Sequence, residues 1–178
     1  GYGGSLADRS RMLLEVLAGI RERTGPAFQV GLRLTPERNG IVLHEARELA
    51  AGVMASGLLD YLDLSLWDAF KRPHEAAEPG LLIDHFTRLP RHGTRLGVAG
   101  GILSAEHARW CLEQGADFVL VGTGAILQHD FAARALADPA YVSTPQPVSR
   151  AHLEAESVGP AFLDYLATTW DDFVTDRP

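Results

Sequence analysis

Arg33 is the first residue of this chain that calls for a chemical explanation. It stands inside FQVGLRLTP (28–36), a short apolar run that ends at a proline and reads as a buried strand. A guanidinium in such a strand is costly without a partner. Two readings follow: contact with an anionic ligand, or a salt bridge to Asp63 or Glu37 across the strand ends. A pair of glycine tips is the second feature. LGVAGGILSAEHARWCLEQGADFVLVGTGAIL (96–127) holds two apolar runs, one ending at Gly100-Gly101 and the other at Gly122-Thr123-Gly124. Glycine at a strand end lets backbone N–H groups approach an anion closely. Gly100, Gly101, Gly122 and Thr123 are therefore expected to bind phosphate, while Gly97 and Gly115 read as ordinary turn glycines.

Other groups fit chemistry less well. Asp60 and Asp63 flank Tyr61 and could serve as acid and base, but such acids are more often a strand-end cap and a solvated edge, and they stay unassigned. His129-Asp130 resembles a dyad, yet neighbours in a helix point apart, and Asp130 reads as a helix-start residue. His44 and His107 fall on helix faces and read as surface residues. Histidine spacing follows no metal motif, so no metal is expected, and no residue is assigned as catalytic. The single cysteine, Cys111, can form no internal disulfide and reads as a small core residue.

The elements that must hold these residues alternate. Ser5 caps a helix over LADRSRMLLEVLAGIRER, with Leu6, Met12, Leu13, Val16, Leu17 and Ile20 near one face. A second helix covers 41–57, with Gly57 as its stop. Strands are expected near 28–35, 59–66, 95–100 and 117–122. A Pro-, Glu- and Gly-containing loop over 67–80 leads to a helix near 81–91, and Ser104 caps a helix through Gln114. A short helix near 125–137, a proline-rich loop and a closing helix over 151–170 complete the chain, with Phe162, Tyr165, Trp170 and Phe173 as an apolar packing stripe. Strand and helix thus alternate four times at roughly thirty-residue intervals, the pattern of right-handed βα units in a parallel sheet. In (β/α)8 barrels, phosphate commonly sits between the loops after the last two strands, and the two glycine tips fit those loops.

YGGSLADRSRMLLEVLAGIRERTG, VGLRLTP, VAGGI, ADFVLVGTGAIL and DFAARALADP, in that order, resemble the C-terminal half of the Old Yellow Enzyme family of FMN-dependent NADH:flavin oxidoreductases. The resemblance covers about residues 1 to 140. It implies an α/β fold of the TIM (β/α)8 barrel family, of which this chain supplies about half. It further implies FMN as cofactor and NAD(P)H as reductant, with an activated alkene or another small molecule as acceptor. Arg33 then reaches the flavin pyrimidine edge, where a cation stabilises charge developing on reduction, and Gly100, Gly101, Gly122 and Thr123 offer donors to the FMN phosphate. The family usually has Gly-Arg where this chain has Gly122-Thr123, so the charge of that arginine is missing. The substrate-polarising residues belong to the absent first half, and the isolated chain is expected to lack a complete active site.

Composition bounds the alternatives. With 178 residues and 46% hydrophobic content, a single unit over 1–178 is expected, with 140–178 as a C-terminal loop and helix. A net charge of −7 with no basic run disfavours nucleic acid, and no apolar run is long enough for a membrane span. A cytoplasmic location is expected, and the start at Gly1 reads as that of a fragment. The competing expectation is a catalytically incomplete half-barrel. It would associate with itself or with a missing N-terminal half through its unpaired sheet edges and apolar face.

Overall fold

The computed structural model describes residues 1–74 and 79–176. In chain order the elements are α1 (Leu6–Arg23), β1 (Gly31–Leu34), α2 (Leu43–Ala55), β2 (Tyr61–Ser65), α3 (Asp84–Thr87), β3 (Arg95–Ala99), α4 (Ala105–Glu113), β4 (Phe118–Leu120), α5 (Thr123–Leu127), α6 (Phe131–Ala137), α7 (Arg150–Ala155) and α8 (Pro160–Thr169). The expected half-barrel arrangement is borne out: among the described residues, four parallel strands lie in the order β1-β2-β3-β4 and alternate with helices. The expected loop over 67–80 falls in part on residues 75–78, outside the described residues. No helix among the described residues is long and apolar enough to cross a membrane.

The chain divides into two compact units, one of Gly1–Gly101 with Cys111–Leu120, the other of Ile102–Trp110 with Val121 onward. The first unit holds the whole sheet. Its register pairs Arg33 with Asp63, Asp63 with Gly97 and Gly97 with Phe118, so these four share a row on one face. The opposite face carries Leu62, Leu64, Leu96 and Val98, all fully buried, as are Leu43, Ala50, Val53 and Met54 on α2. Each buried leucine contributes about 1.5–3 kcal/mol. On the Arg33 face small and large residues alternate instead. A Cβ at Gly31 would fall 2.0 Å from the Tyr61 ring, and one at Gly97 would fall 2.3 Å from the Phe118 ring. The two rings meet edge to face at 5.8 Å across the sheet.

Ser5 caps α1 as expected, its Oγ accepting from the Asp8 N–H at 3.2 Å. The face of α1 is narrower than its periodicity suggests. Leu17 is buried, but Met12 and Val16 are 65% and 50% exposed, since no described element covers them. The helix expected near 81–91 contracts to the single turn α3. Leu89 N–H bonds Phe86 O in a tight turn, and Pro90 disfavours helical backbone at the residue before it.

In the second unit the helix expected near 125–137 is broken at Gln128–Asp130, giving α5 and α6. The closing helix is likewise two helices. Ser157 takes φ +66°, Gly159 is the N-cap of α8, and Pro160 occupies its first turn. The expected stripe is split between core and surface. Leu163, Leu166 and Ala167 join Leu127, Val148, Leu153, Phe173 and Val174 in the core, whereas Phe162 and Tyr165 stack on each other at 6.0 Å in solvent.

Candidate functional site

Arg33 extends from β1 over the row it shares with β2. Its Nη1 donates to Asp63 Oδ2 at 2.9 Å and its Nη2 to Ser65 Oγ at 3.0 Å. The Arg33 side chain remains 55% exposed, while that of Asp63 is 5% exposed. The strand thus does not bury the guanidinium; it anchors one edge and leaves the rest accessible. Asp63 is the unusual partner, because its Oδ1 is buried with no hydrogen-bond donor. Burial pushes the Asp63 carboxyl above its ordinary range, and Arg33 pulls it back only in part.

Glu37 is not a partner of Arg33. Its Oε1 accepts from Lys71 Nζ in a close ion pair and its Oε2 from the His74 N–H at 2.7 Å. With Glu37 only 1% exposed, these contacts compensate a buried charge. Asp60 is the strand-end cap expected of one of the two acids. It accepts from the Val30 N–H at 2.6 Å and from Arg21 Nη2 at 2.7 Å, and these bonds hold its carboxyl below the usual range. Asp63 is not the solvated edge expected of the other, since alternation within β2 turns it onto the interior row.

The two glycine tips differ in physical demand. Gly100 has φ +142°, and a Cβ there would come within 2.8 Å of both Asp68 N and Trp67 C, so the close passage of this backbone by itself requires glycine. Gly101 has φ +65°, and its Cβ would find only ordinary contact, 3.6 Å from Asp68 Oδ1. In the second unit, Gly122 is the N-cap of α5, and a Cβ there would meet nothing within 4 Å. Thr123 begins that helix. The crowded residue of the trio is Gly124, whose Cβ would lie 2.9 Å from Val121 Cγ1 and 3.0 Å from both Ile102 O and Phe131 Cδ2.

Two groups were not legible as pairs. His129 Nδ1 lies 2.6 Å from Glu156 Oε2, and Asp130 Oδ1 accepts from Arg134 Nε at 2.7 Å. His129, Asp130 and Glu156 bring ligand-capable atoms within 4.8 Å of one another, the one such group among the described residues. Gln128 also donates to Asp130 and Glu156, so the cluster ties the α5–α6 break to the end of α7. Trp67, with φ +64°, has its ring 5.4 Å from the Arg38 guanidinium. Cys111 is fully buried, as expected, and burial pushes its thiol up to about 11.

No protein-family model matches the chain. Individual relatives do. The chain is 37% identical over 83 residues to a probable N-methylproline demethylase of Rhizobium meliloti, a match covering 45% of this chain and 11% of that protein. It is 32% identical over 146 residues to an NADH:fumarate oxidoreductase of Klebsiella pneumoniae, covering 75% of this chain and 16% of that protein. Among solved structures, a morphinone reductase in complex with tetrahydroNAD superposes with a TM-score of 0.61 at 27% identity, covering 85% of this chain and 39% of that one. The chain therefore spans less than a fifth of these curated relatives and about two fifths of the solved chain. Sequence and fold similarity together point to the flavin-oxidoreductase superfamily of the Old Yellow Enzyme type, with this chain forming about half of a barrel.

Proposed function

We propose that this chain is the C-terminal half of an FMN-dependent NAD(P)H oxidoreductase barrel. The observation that carries this reading is Arg33: a half-exposed cation anchored by Asp63 and Ser65 toward the carboxyl ends of parallel strands, where such folds bind ligands. The residues present fit a flavin. Arg33 offers charge to an electron-rich ring edge, and the buried Asp63 Oδ1 without a donor marks the same row as built for polar chemistry. In the first unit Gly101, at φ +65° with only ordinary contacts around a Cβ, has backbone that glycine adopts freely, and in the second the open surface at Gly122 lets a ligand approach the first turn of α5. Thr123 replaces an arginine's geometry with a hydroxyl but not its charge. Bound FMN supplies hydride transfer between a nicotinamide and an activated alkene or another small-molecule acceptor. This chain's part is to bind and orient; the residues that polarise the acceptor belong to the other half. The visible absorption spectrum of the purified chain with added FMN tests the reading. A flavin band that shifts and stays with the protein through gel filtration is expected, and free FMN in every fraction would remove it.

A second reading has its own observation. Among the described residues β1 and β4 each pair with one strand only, leaving the outer edge of each open to another chain. A self-associating or partner-binding half-barrel without chemistry of its own follows. Sedimentation that finds monomer at high concentration would exclude self-association.

A further inference from the structure

We propose that Asp63 is a positioning residue for Arg33: it fixes the guanidinium against β2 and offsets part of its charge, so that one carboxylate sets both the orientation and the strength of the Arg33 contact. The inference rests on the flavin reading for its ligand, but not for its geometry. Strand register places Arg33 and Asp63 side by side, and the bond between them is 2.9 Å. The second anchor, Ser65, lies two residues along β2 and on the same face, so Nη1 and Nη2 are each tied to that strand. The two hydrogen bonds at Nη1 and Nη2 and the Arg33 backbone in β1 hold the side chain at both ends. A half-exposed arginine with no such anchors would sample many rotamers and lose that entropy when a ligand orders it.

A purely structural salt bridge accounts for less. Asp63 is 3% exposed and leaves Oδ1 without a donor, a cost that a solvated partner for Arg33 would avoid. Burial pushes the Asp63 carboxyl up while contact with Arg33 draws it down, so the carboxylate form of Asp63 is favoured by that contact. Reduction of a flavin adds negative charge near the cation. A free guanidinium stabilises that charge more than one neutralised by Asp63, and the carboxylate therefore restrains the preference for reduced over oxidised cofactor.

The test uses the full chain with FMN as probe and compares Arg33→Ala, Asp63→Asn, Asp63→Ala and Ser65→Ala. Asparagine keeps an acceptor for Nη1 and removes the charge; alanine removes both. Asp63→Asn is expected to raise the ratio of reduced- to oxidised-FMN affinity by about tenfold, and Arg33→Ala to lower it. In the Arg33→Ala background Asp63→Asn should change the ratio less than about twofold. A ratio that is unchanged or lowered by Asp63→Asn, or equally raised without Arg33, overturns the inference. The 15N guanidinium spectrum of Arg33 reads its geometry without cofactor. Resolved, slowly exchanging N–H signals are expected in the wild type, with partial loss in Ser65→Ala and collapse in Asp63→Ala. Identical spectra in all three overturn the positioning role. If FMN binds no variant, the flavin reading falls while this spectrum still decides the role of Asp63.

Discussion

Replacing Gly100 with alanine separates a packing glycine from a ligand-binding one. Backbone at φ +142° is open almost only to glycine, and holding alanine there costs about 1–3 kcal/mol. The added Cβ would also lie 2.8 Å from Asp68 N and from Trp67 C, backbone atoms that cannot rotate away as a side chain would. Forcing them apart adds about 1–3 kcal/mol. The loop is bound in place on both sides, since Leu66 N–H donates to Ala99 O at 2.8 Å and Ala69 N–H to Gly100 O at 3.1 Å. Gly100→Ala should therefore cost about 2–6 kcal/mol in urea unfolding, and amide exchange at Leu66 and Ala69 should accelerate. Gly101→Ala is the internal control. At φ +65° with its nearest neighbour 3.6 Å away, it should cost only about 1–2 kcal/mol. Equal losses for the two variants would refute the argument that the backbone after β2, rather than a ligand, demands glycine at Gly100.

Further outcomes follow from the same geometry. The carboxyl of Asp60 is held below its ordinary range by Val30 and Arg21, so its contribution to stability is present above the unfolded-state pKa and lost as pH falls through the lower folded value; Asp60→Asn should flatten that acid limb of the stability curve. Cys111, buried with its thiol near 11, should resist a disulfide reagent at neutral pH until denaturant is added; rapid labelling of the native chain would contradict its burial. Leu163→Ala should cost about 2–5 kcal/mol, against under about 1 kcal/mol for Phe162→Ala on the exposed side of α8, as measured by thermal unfolding.

The alternation of strand and helix was legible because it is local: an apolar run, a cap and a glycine stop identify an element without reference to any other. Ser5, Gly57 and Ser104 are read in this way, and each has the role expected of it. Residues separated far along the chain were harder. Asp60 and Asp63 look equivalent in DYLDLS, and only the pairing offset between β1 and β2 brings Asp63 beside Arg33 while Asp60 accepts from the Val30 N–H. His129 and Glu156 likewise meet through the fold of the second unit rather than through spacing. The broken closing helix is a different case. Gly159-Pro160 is a helix-start signal present in the sequence, and it divides the single closing helix expected over 151–170.

Strand order carries one more consequence. Among the described residues, each strand after β1 pairs with the one made just before it. A chain emerging from a ribosome can therefore extend the sheet one strand at a time, adding each helix as the cover for the strand already docked. Every intermediate length ends at a growing edge rather than at a gap between unmatched strands. A strand order of this kind permits vectorial assembly, in which an interruption of synthesis would shorten the sheet rather than scramble it.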